Sequence, residues 1–381
     1  MICTEMRERL EIKNFQYHSS ESSILSDKWH GKPYYSLNAY LKNTYGKRIK
    51  KISIDGGFTC PNRDGTLDTR GCIFCSAGGS GDFAIPWTSM PGAGNAASHF
   101  FDTSQQTCIP MKPESSIVHS VDKLDKVNKA KQNTDETIDP YIAYFQAYTC
   151  TYAPVPYLNR LYRHALDNPA VMGISIATRP DCLPEDVLSL LSRLKENYPG
   201  KFIWVELGLQ TIHEQTARYI RRGYPSGCFS HGVKQLHQRN IPVIAHVILG
   251  LPGENKDMML QTIDYINSLP VAGIKLQLLH VLKGTDLAKN YHTGEFSVLS
   301  MDDYLTILIA CICRLSPDIV IHRLTGDGPK ELLIAPLWSR DKKRVLNGLH
   351  KRMKLENAYQ GKNYKIQKGT ISHEPRTPNP I

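Results

Sequence analysis

From residue 141 onward, short apolar runs alternate with longer amphipathic stretches. The runs 141–148 (YIAYFQAY), 171–177 (VMGISIA), 202–209 (FIWVELGL), 242–249 (PVIAHVIL) and 273–279 (GIKLQLL) have the length and the β-branched and aromatic content of buried strands. Between them, 156–167, 184–197, 213–222 with 228–239, and 256–268 carry apolar residues at helical spacing. Alternation with short links predicts parallel strands covered by helices, because a parallel pair needs a crossover connection. One more alternating run, Ile52 and Ile54, lies upstream and brings the number of strand–helix units to six. Eight would close a full barrel. Six predict an open α/β fold, a partial (β/α)6 TIM-like barrel.

The flanks read differently. Residues 1 to about 30 are polar and Ser-rich, and 34–51 allow a short helix that ends basic. We expect an N-terminal extension over 1–45, a core over 46–290 and a C-terminal extension over 291–381. The last holds a helix at 300–315, an apolar run at 318–322 and a helix with a basic loop beyond 325. Residues 87–138 are rich in Ser, Asn, Thr, Pro and Lys. They predict an extended insertion, either a tolerated surface excursion or a lid that touches nucleic acid.

Composition narrows the function classes. Hydrophobic residues at 41% and charged residues at 22% describe an ordinary globular protein. A net charge of +10 favours polyanionic partners, nucleic acid first, although a plain solubility charge looks the same. The ten cysteines lack the dense regular spacing of a disulfide scaffold, which fits a reducing cytoplasm. The charged N-terminus lacks the apolar segment of a signal peptide, and no apolar run has the length of a membrane span. The expectation is a cytoplasmic protein with no membrane partner.

Chemistry concentrates in 52–86, where Cys60, Cys72 and Cys75 stand among glycines in a loop after the first strand. Structural zinc closes with four ligands, and iron–sulfur clusters also take a thiolate at each iron. Three thiolates therefore leave one metal position open. A zinc knuckle completed by Cys108, His30 or His99 is the alternative. The ending Cys72-Ile73-Phe74-Cys75, with Cys60 upstream, resembles the radical S-adenosylmethionine (SAM) superfamily. That resemblance implies a [4Fe-4S] cluster on Cys60, Cys72 and Cys75, SAM on the fourth iron, and Phe74 against the adenine.

Ligands of parallel α/β folds gather at the carboxyl ends of strands. There the sequence offers Gln146 and Thr149, with Cys150 as a hydrogen-atom donor or inert packing, then Arg179 and Asp181 in T-R-P-D. The T-R-P-D string is similar to one in proteins resembling the Elongator catalytic subunit, which modifies tRNA uridines. Glu206, Gln210 and, twelve residues on, Arg222 follow. Their pattern is similar to SAM contacts of oxygen-independent coproporphyrinogen oxidase, although a charged helix face would also place arginines there. His246 stands at a SAM-contacting position of that enzyme or is a core histidine. Gly250 and Gly253 would flank the adenine. His280, Lys283, Asp286, Arg323, Asp327 and Lys330 are expected on the substrate side, with His280 and Lys283 also candidate catalytic groups. Trp338, Tyr359 and the basic tail helix mix aromatics with cations, as nucleic-acid contacts do.

The strings SIDGGFTCPNRDGT, GCIFCSAGGSGDF, ATRPDCL, VELGLQT, HVILGLPGE, HVLKGT and LIAPLWS together resemble the YtqA/YhcC-type subgroup of that superfamily. The YtqA branch, also called MnmL, implies action on the tRNA wobble uridine. It converts 5-carboxymethylaminomethyl-(2-thio)uridine to the 5-aminomethyl form, for a partner methylase to finish. It also implies an electron donor such as flavodoxin or ferredoxin. The alternatives are a small-molecule or protein substrate for the same fold, and a non-catalytic metal- or cluster-bearing RNA-binding module.

Overall fold

The computed structural model describes residues 27–90, 139–326 and 328–365. Most of the leader, the insertion beyond residue 90, Asp327, and the zinc-knuckle candidates His99 and Cys108 lie outside the described residues. The chain enters through α1 (Leu37–Tyr45), whose N-cap Ser36 accepts a hydrogen bond from the Ala39 amide and whose end is set by Gly46 in the left-handed region. Then come β1 (Lys50–Asp55), β2 (Ile85–Pro86), β3 (Tyr141–Phe145), α2 (Val155–Asp167), β4 (Val171–Thr178), α3 (Glu185–Asn197) and β5 (Phe202–Gln210). Next are α4 (Glu214–Tyr219), α5 (Ser226–Gln238), β6 (Val243–Leu249), α6 (Lys256–Asn267), β7 (Gly273–Leu278), β8 (Val281–Leu282), α7 (Asp286–His292) and α8 (Met301–Arg314). The chain ends with β9 (Val320–Arg323), β10 (Leu333–Ala335) and α9 (Lys342–Leu355).

Eight strands form one parallel sheet in the order β2-β1-β3-β4-β5-β6-β7-β9, and β8 pairs antiparallel with β10. The six expected strands are all present. The apolar run at 318–322 adds β9 beside β7, and β2 adds a two-residue edge. Among the described residues the ends of the sheet do not pair with each other, so the barrel is open.

Alternation along the strands sorts residues into two faces. One face (Phe145, Ile174, Ile176, Val205, Leu207, Val243, Ala245, Val247, Ile274) packs under the helices in the main core. The other points into the barrel. Its lowest layer, Ile142, Phe202, Trp204 and Ile244, packs with Leu41 and Ile49, so α1 plugs the amino end of the barrel. The next layer up is polar. The carboxyl end carries the cysteine loop, and the segment from β8 through β10 to α9 folds back over it.

Candidate active site

The loop after β1 is held by its own backbone and by one asparagine. The amides of Arg63 and Cys75 bond the carbonyls of Cys60 and Cys72, closing a turn at each cysteine. Asn62 Nδ2 donates to the carbonyls of Arg221 and Arg222, at 2.8 and 3.2 Å, and lies 3.5 Å from Cys72 Sγ. Gly79, at φ +60°, sits against Tyr148, where a Cβ would come within 2.4 Å of the ring. Arg63 donates to the carbonyls of Cys75 and Ser76. These ties bring Cys60, Cys72 and Cys75 to the upper wall of a cavity of about 970 Å³.

The donor set can be tested against a metal on this geometry. All three cysteines are free and half-buried. Burial, then the neighbouring Cys75 and Cys60, pushes the Cys72 thiol up to about 12. Such a site asks for metal cations to hold its thiolates. Among the described residues, no three His, Cys, Asp or Glu side chains converge on a single-ion site. The three thiols line one cavity and feel one another's charge, a donor set that fits a cluster with one thiolate to each of three irons. His30 bonds Asn43 and does not line this cavity.

Around the same cavity stand Phe74, Gln146, Thr149, Arg179, Gln210, His280 and Lys330. Gln146 Nε2 donates to the Ser80 carbonyl at 2.8 Å, tying β3 to the cysteine loop. Gln210 ends β5 at φ +62°, and its Oε1 is buried with no hydrogen-bond partner among the described residues. The Arg179 guanidinium forms a fork with Asp181 at 3.0 and 2.7 Å, bonds the Arg222 carbonyl and lies 4.8 Å from the Tyr224 ring centroid. Asp181 thus serves to aim Arg179 and does not itself line the cavity.

The floor is built by one layer of the strands. Glu206 of β5 has no exposed surface. Lys51 Nζ of β1 and Ser175 Oγ of β4 lie 2.6 Å from its Oε1, and His246 Nε2 of β6 lies 2.7 Å from its Oε2. Lys275 of β7 pairs with the same carboxylate and reaches Tyr144 Oη of β3 at 2.9 Å. Burial alone would raise the Glu206 pKa; Lys275 and Lys51 outweigh it and hold the group ionised, well below the usual range. Burial, with Lys275, depresses His246 to about 4, so its ring is neutral at pH 7 and its Nε2–H donates to Glu206. Burial lowers Lys275 to about 7, with Lys51 and Arg323 adding to the effect against Glu206. Arg323 and His322 of β9 line the same floor.

Arg222 lies at the edge of the cavity, and several other expected residues stand outside it. Arg222 is buried and engaged, donating to the carbonyls of Tyr224, Leu209 and Thr211 and reaching Glu214 and Ser226. It borders the cavity, and its guanidinium is committed to the β5–α5 connection. Cys150 lies in the core, where its thiol donates to the Ala147 carbonyl and its own carbonyl accepts from Tyr162. It does not line the cavity, and neither does the exposed Lys283. Asp286 opens α7 and pairs with Arg221 and Lys289. Gly250 and Gly253 form the left-handed turn after β6 without reaching the cavity wall. The sequence reading missed Asn62, Arg63, Lys51, Tyr144, Ser175, Lys275 and His322. A lysine inside the apolar run GIKLQLL was the available signal for Lys275.

Comparison with known proteins follows the same lines. Residues 69–266 match the radical SAM superfamily and residues 271–355 match the radical SAM C-terminal domain. YtqA of Bacillus subtilis (strain 168) is 42% identical over 331 residues, 87% of this chain and 92% of its own. The chain belongs to the radical SAM superfamily. YhcC of Escherichia coli (strain K12), a second relative of this radical SAM enzyme, is 35% identical over 79% of this chain and 86% of its own. The archaeal Methanocaldococcus infernus Elp3 structure with an N-terminal deletion shares the fold at TM-score 0.53 and 18% identity. The match covers 66% of this chain and about three-fifths (60%) of that one. The cofactors of this radical SAM enzyme are a [4Fe-4S] cluster and SAM. Among the described residues no helix is long and apolar enough to cross a membrane.

Proposed function

We propose that this radical SAM enzyme acts on the wobble uridine of tRNA, converting 5-carboxymethylaminomethyl-(2-thio)uridine to the 5-aminomethyl form. The observation that carries the reading is the cavity's rim. Lys330, Arg340 and Lys342 border it, and Lys342 begins α9, whose Lys343, Arg344, Lys351 and Lys354 are exposed. A cationic track leading into a cavity deep enough for one nucleotide suits a polyanion that presents a single extruded base. The resemblance to the YtqA branch carries the same implication.

In this reading Cys60, Cys72 and Cys75 hold the cluster, and Phe74 and Gln146 border the space for SAM. Bound together, the cluster and SAM supply a 5′-deoxyadenosyl radical, the reagent for removing hydrogen from the carboxymethyl arm. The chain's own residues position and shelter. Arg179, aimed by Asp181, offers a fixed cation at the carboxyl end of β4. The plug of Leu41, Ile49 and Trp204 closes the amino end of the barrel to water. Gln210 Oε1, buried without a partner among the described residues, is available to a donor on the bound molecules. An electron donor such as flavodoxin or ferredoxin reduces the enzyme, and a methylase takes the aminomethyl product.

The test is anaerobic incubation of the reconstituted enzyme with SAM, reductant and tRNA bearing the carboxymethylaminomethyl group, followed by nucleoside mass spectrometry. The expected result is aminomethyl-uridine together with 5′-deoxyadenosine. SAM cleavage with unchanged wobble nucleosides would move the enzyme to a different substrate.

A further inference from the structure

The first turns of α9 lie along a second opening. Lys342 borders the main cavity, whereas its chain neighbours Asp341 and Lys343 line a separate open groove of about 530 Å³. Met301 of α8 and Arg344, Asn347, Gly348 and Lys351 of α9 complete it. Lys343, Asn347 and Lys351 fall at i, i+4 and i+8, one stripe of the helix, and Arg344 and Gly348 form the stripe beside it. Glycine is costly inside a helix, and at Gly348 a Cβ would lie 3.1 Å from Met301 Cε and 3.3 Å from Leu305 Cδ1. The bare position lets α8 come close and leaves a depression between the cations. Asp341 is engaged at the helix start, where its carboxylate accepts from the Arg344 amide at 2.9 Å. Arg352, next along the helix, pairs with Asp302 and Glu356. Among the described residues Lys343, Arg344 and Lys351 make no ion pair.

We infer that this groove seats the nucleotide next to the wobble uridine, with its phosphate among Lys343, Arg344 and Lys351 and its base edge at Asn347. This rests on the proposed function and adds a second contact by which the anticodon is read. The Cα atoms of Lys342 and Lys343 stand ~3.8 Å apart, so cavity and groove adjoin. A nucleotide drawn into the cavity therefore places its chain neighbour at the groove. Three cations against one capping carboxylate favour a polyanion over a neutral partner. Asn347 is exposed midway between Lys343 and Lys351. Its amide offers a donor and an acceptor together, which a base edge can meet and a phosphate does not need. Unpaired bases of RNA loops present such edges.

Binding of anticodon stem–loops to the SAM-loaded, cluster-reconstituted enzyme tests this without relying on turnover. Three RNAs carry the same carboxymethylaminomethyl wobble uridine: one intact, one abasic at the 5′ neighbour and one abasic at the 3′ neighbour. One of the two abasic RNAs should bind roughly three- to tenfold more weakly than the intact RNA, the worth of one hydrogen bond. Asn347→Ala should erase that difference and keep the wild-type salt slope, because no charge is lost. Equal binding of all three RNAs by the wild type, with wobble conversion intact, overturns the seat and spares the proposed function. A difference that survives at full size in Asn347→Ala assigns the reading to another surface and also overturns the seat. Failure of every RNA to bind overturns the proposed function and the seat with it. Asn347 is exposed on a helix and Ala is the better helix former, so the variant keeps its fold and the comparison can be made.

Discussion

At the residue scale, two groups of side chains respond in opposite ways to truncation. Cys60, Cys72 and Cys75 are half-buried thiols on a loop. Replacing any one with Ala should abolish bound iron and visible absorbance while the urea midpoint of the apoprotein stays near wild type. Iron retained at the wild-type level in a Cys72→Ala variant would refute their assignment. Glu206→Ala should behave in reverse. It strands Lys51 and Lys275 without their carboxylate, and breaking a buried pair costs ~3–5 kcal/mol. Denaturant unfolding of the apoprotein reads that loss; a change below about 1 kcal/mol would show that water already screens the site. The two groups also differed in legibility. The cysteine trio announces itself because its members lie within sixteen residues. Glu206 was visible as a polar residue in an apolar run, but its partners were not. Lys51 precedes it by 155 residues, and only the barrel's register brings them together.

At the scale of elements, strands and helices long enough to complete their own pattern were readable, and those made by tertiary pairing were not. β3 to β7 each carry a mostly apolar run, so their existence followed from the pattern of the chain. β2, β8 and β10 have two or three residues and no period of their own. β9 was seen as an apolar run, but its place beside β7 depends on α8 crossing over, which composition does not encode. Packing detail inside a strand is likewise hidden. Gly173 of β4 looks like a weak spot in a β-rich run, where propensity would welcome a side chain. In the fold its Cβ would lie 2.4 Å from both the Phe202 carbonyl oxygen and the Phe202 ring. Gly173→Ala should therefore destabilise by about 1–3 kcal/mol through overpacking, seen as a lowered Tm. A neutral or raised Tm would mean that β4 and β5 separate more easily than their register implies.

For the whole molecule, charge and architecture meet at α9. The net charge of +10 favours a polyanion but does not say where one would lie. The fold supplies a place by packing Val345, Leu349 and Met353 of α9 into the core, which turns Lys343, Arg344 and Lys351 outward. The same helix starts at the cavity rim, so any chain of phosphates lying along it is led toward the cysteine loop. Reversing all three cations to Glu should weaken tRNA binding and flatten its salt dependence. Each lost phosphate contact lowers the log–log slope by ~0.7–0.9, so the triple variant should lose about 2 to 3. Because these side chains are exposed, the Tm should barely move. Binding of the isolated modified nucleoside should be untouched, since these three side chains are exposed on α9 and do not line the cavity. A triple variant with an unchanged salt slope would place the tRNA backbone on another face, while one that lost nucleoside binding as well would mean α9 shapes the cavity itself. Only the combination of a reduced slope with intact nucleoside binding is what a track leading to a separate substrate cavity produces.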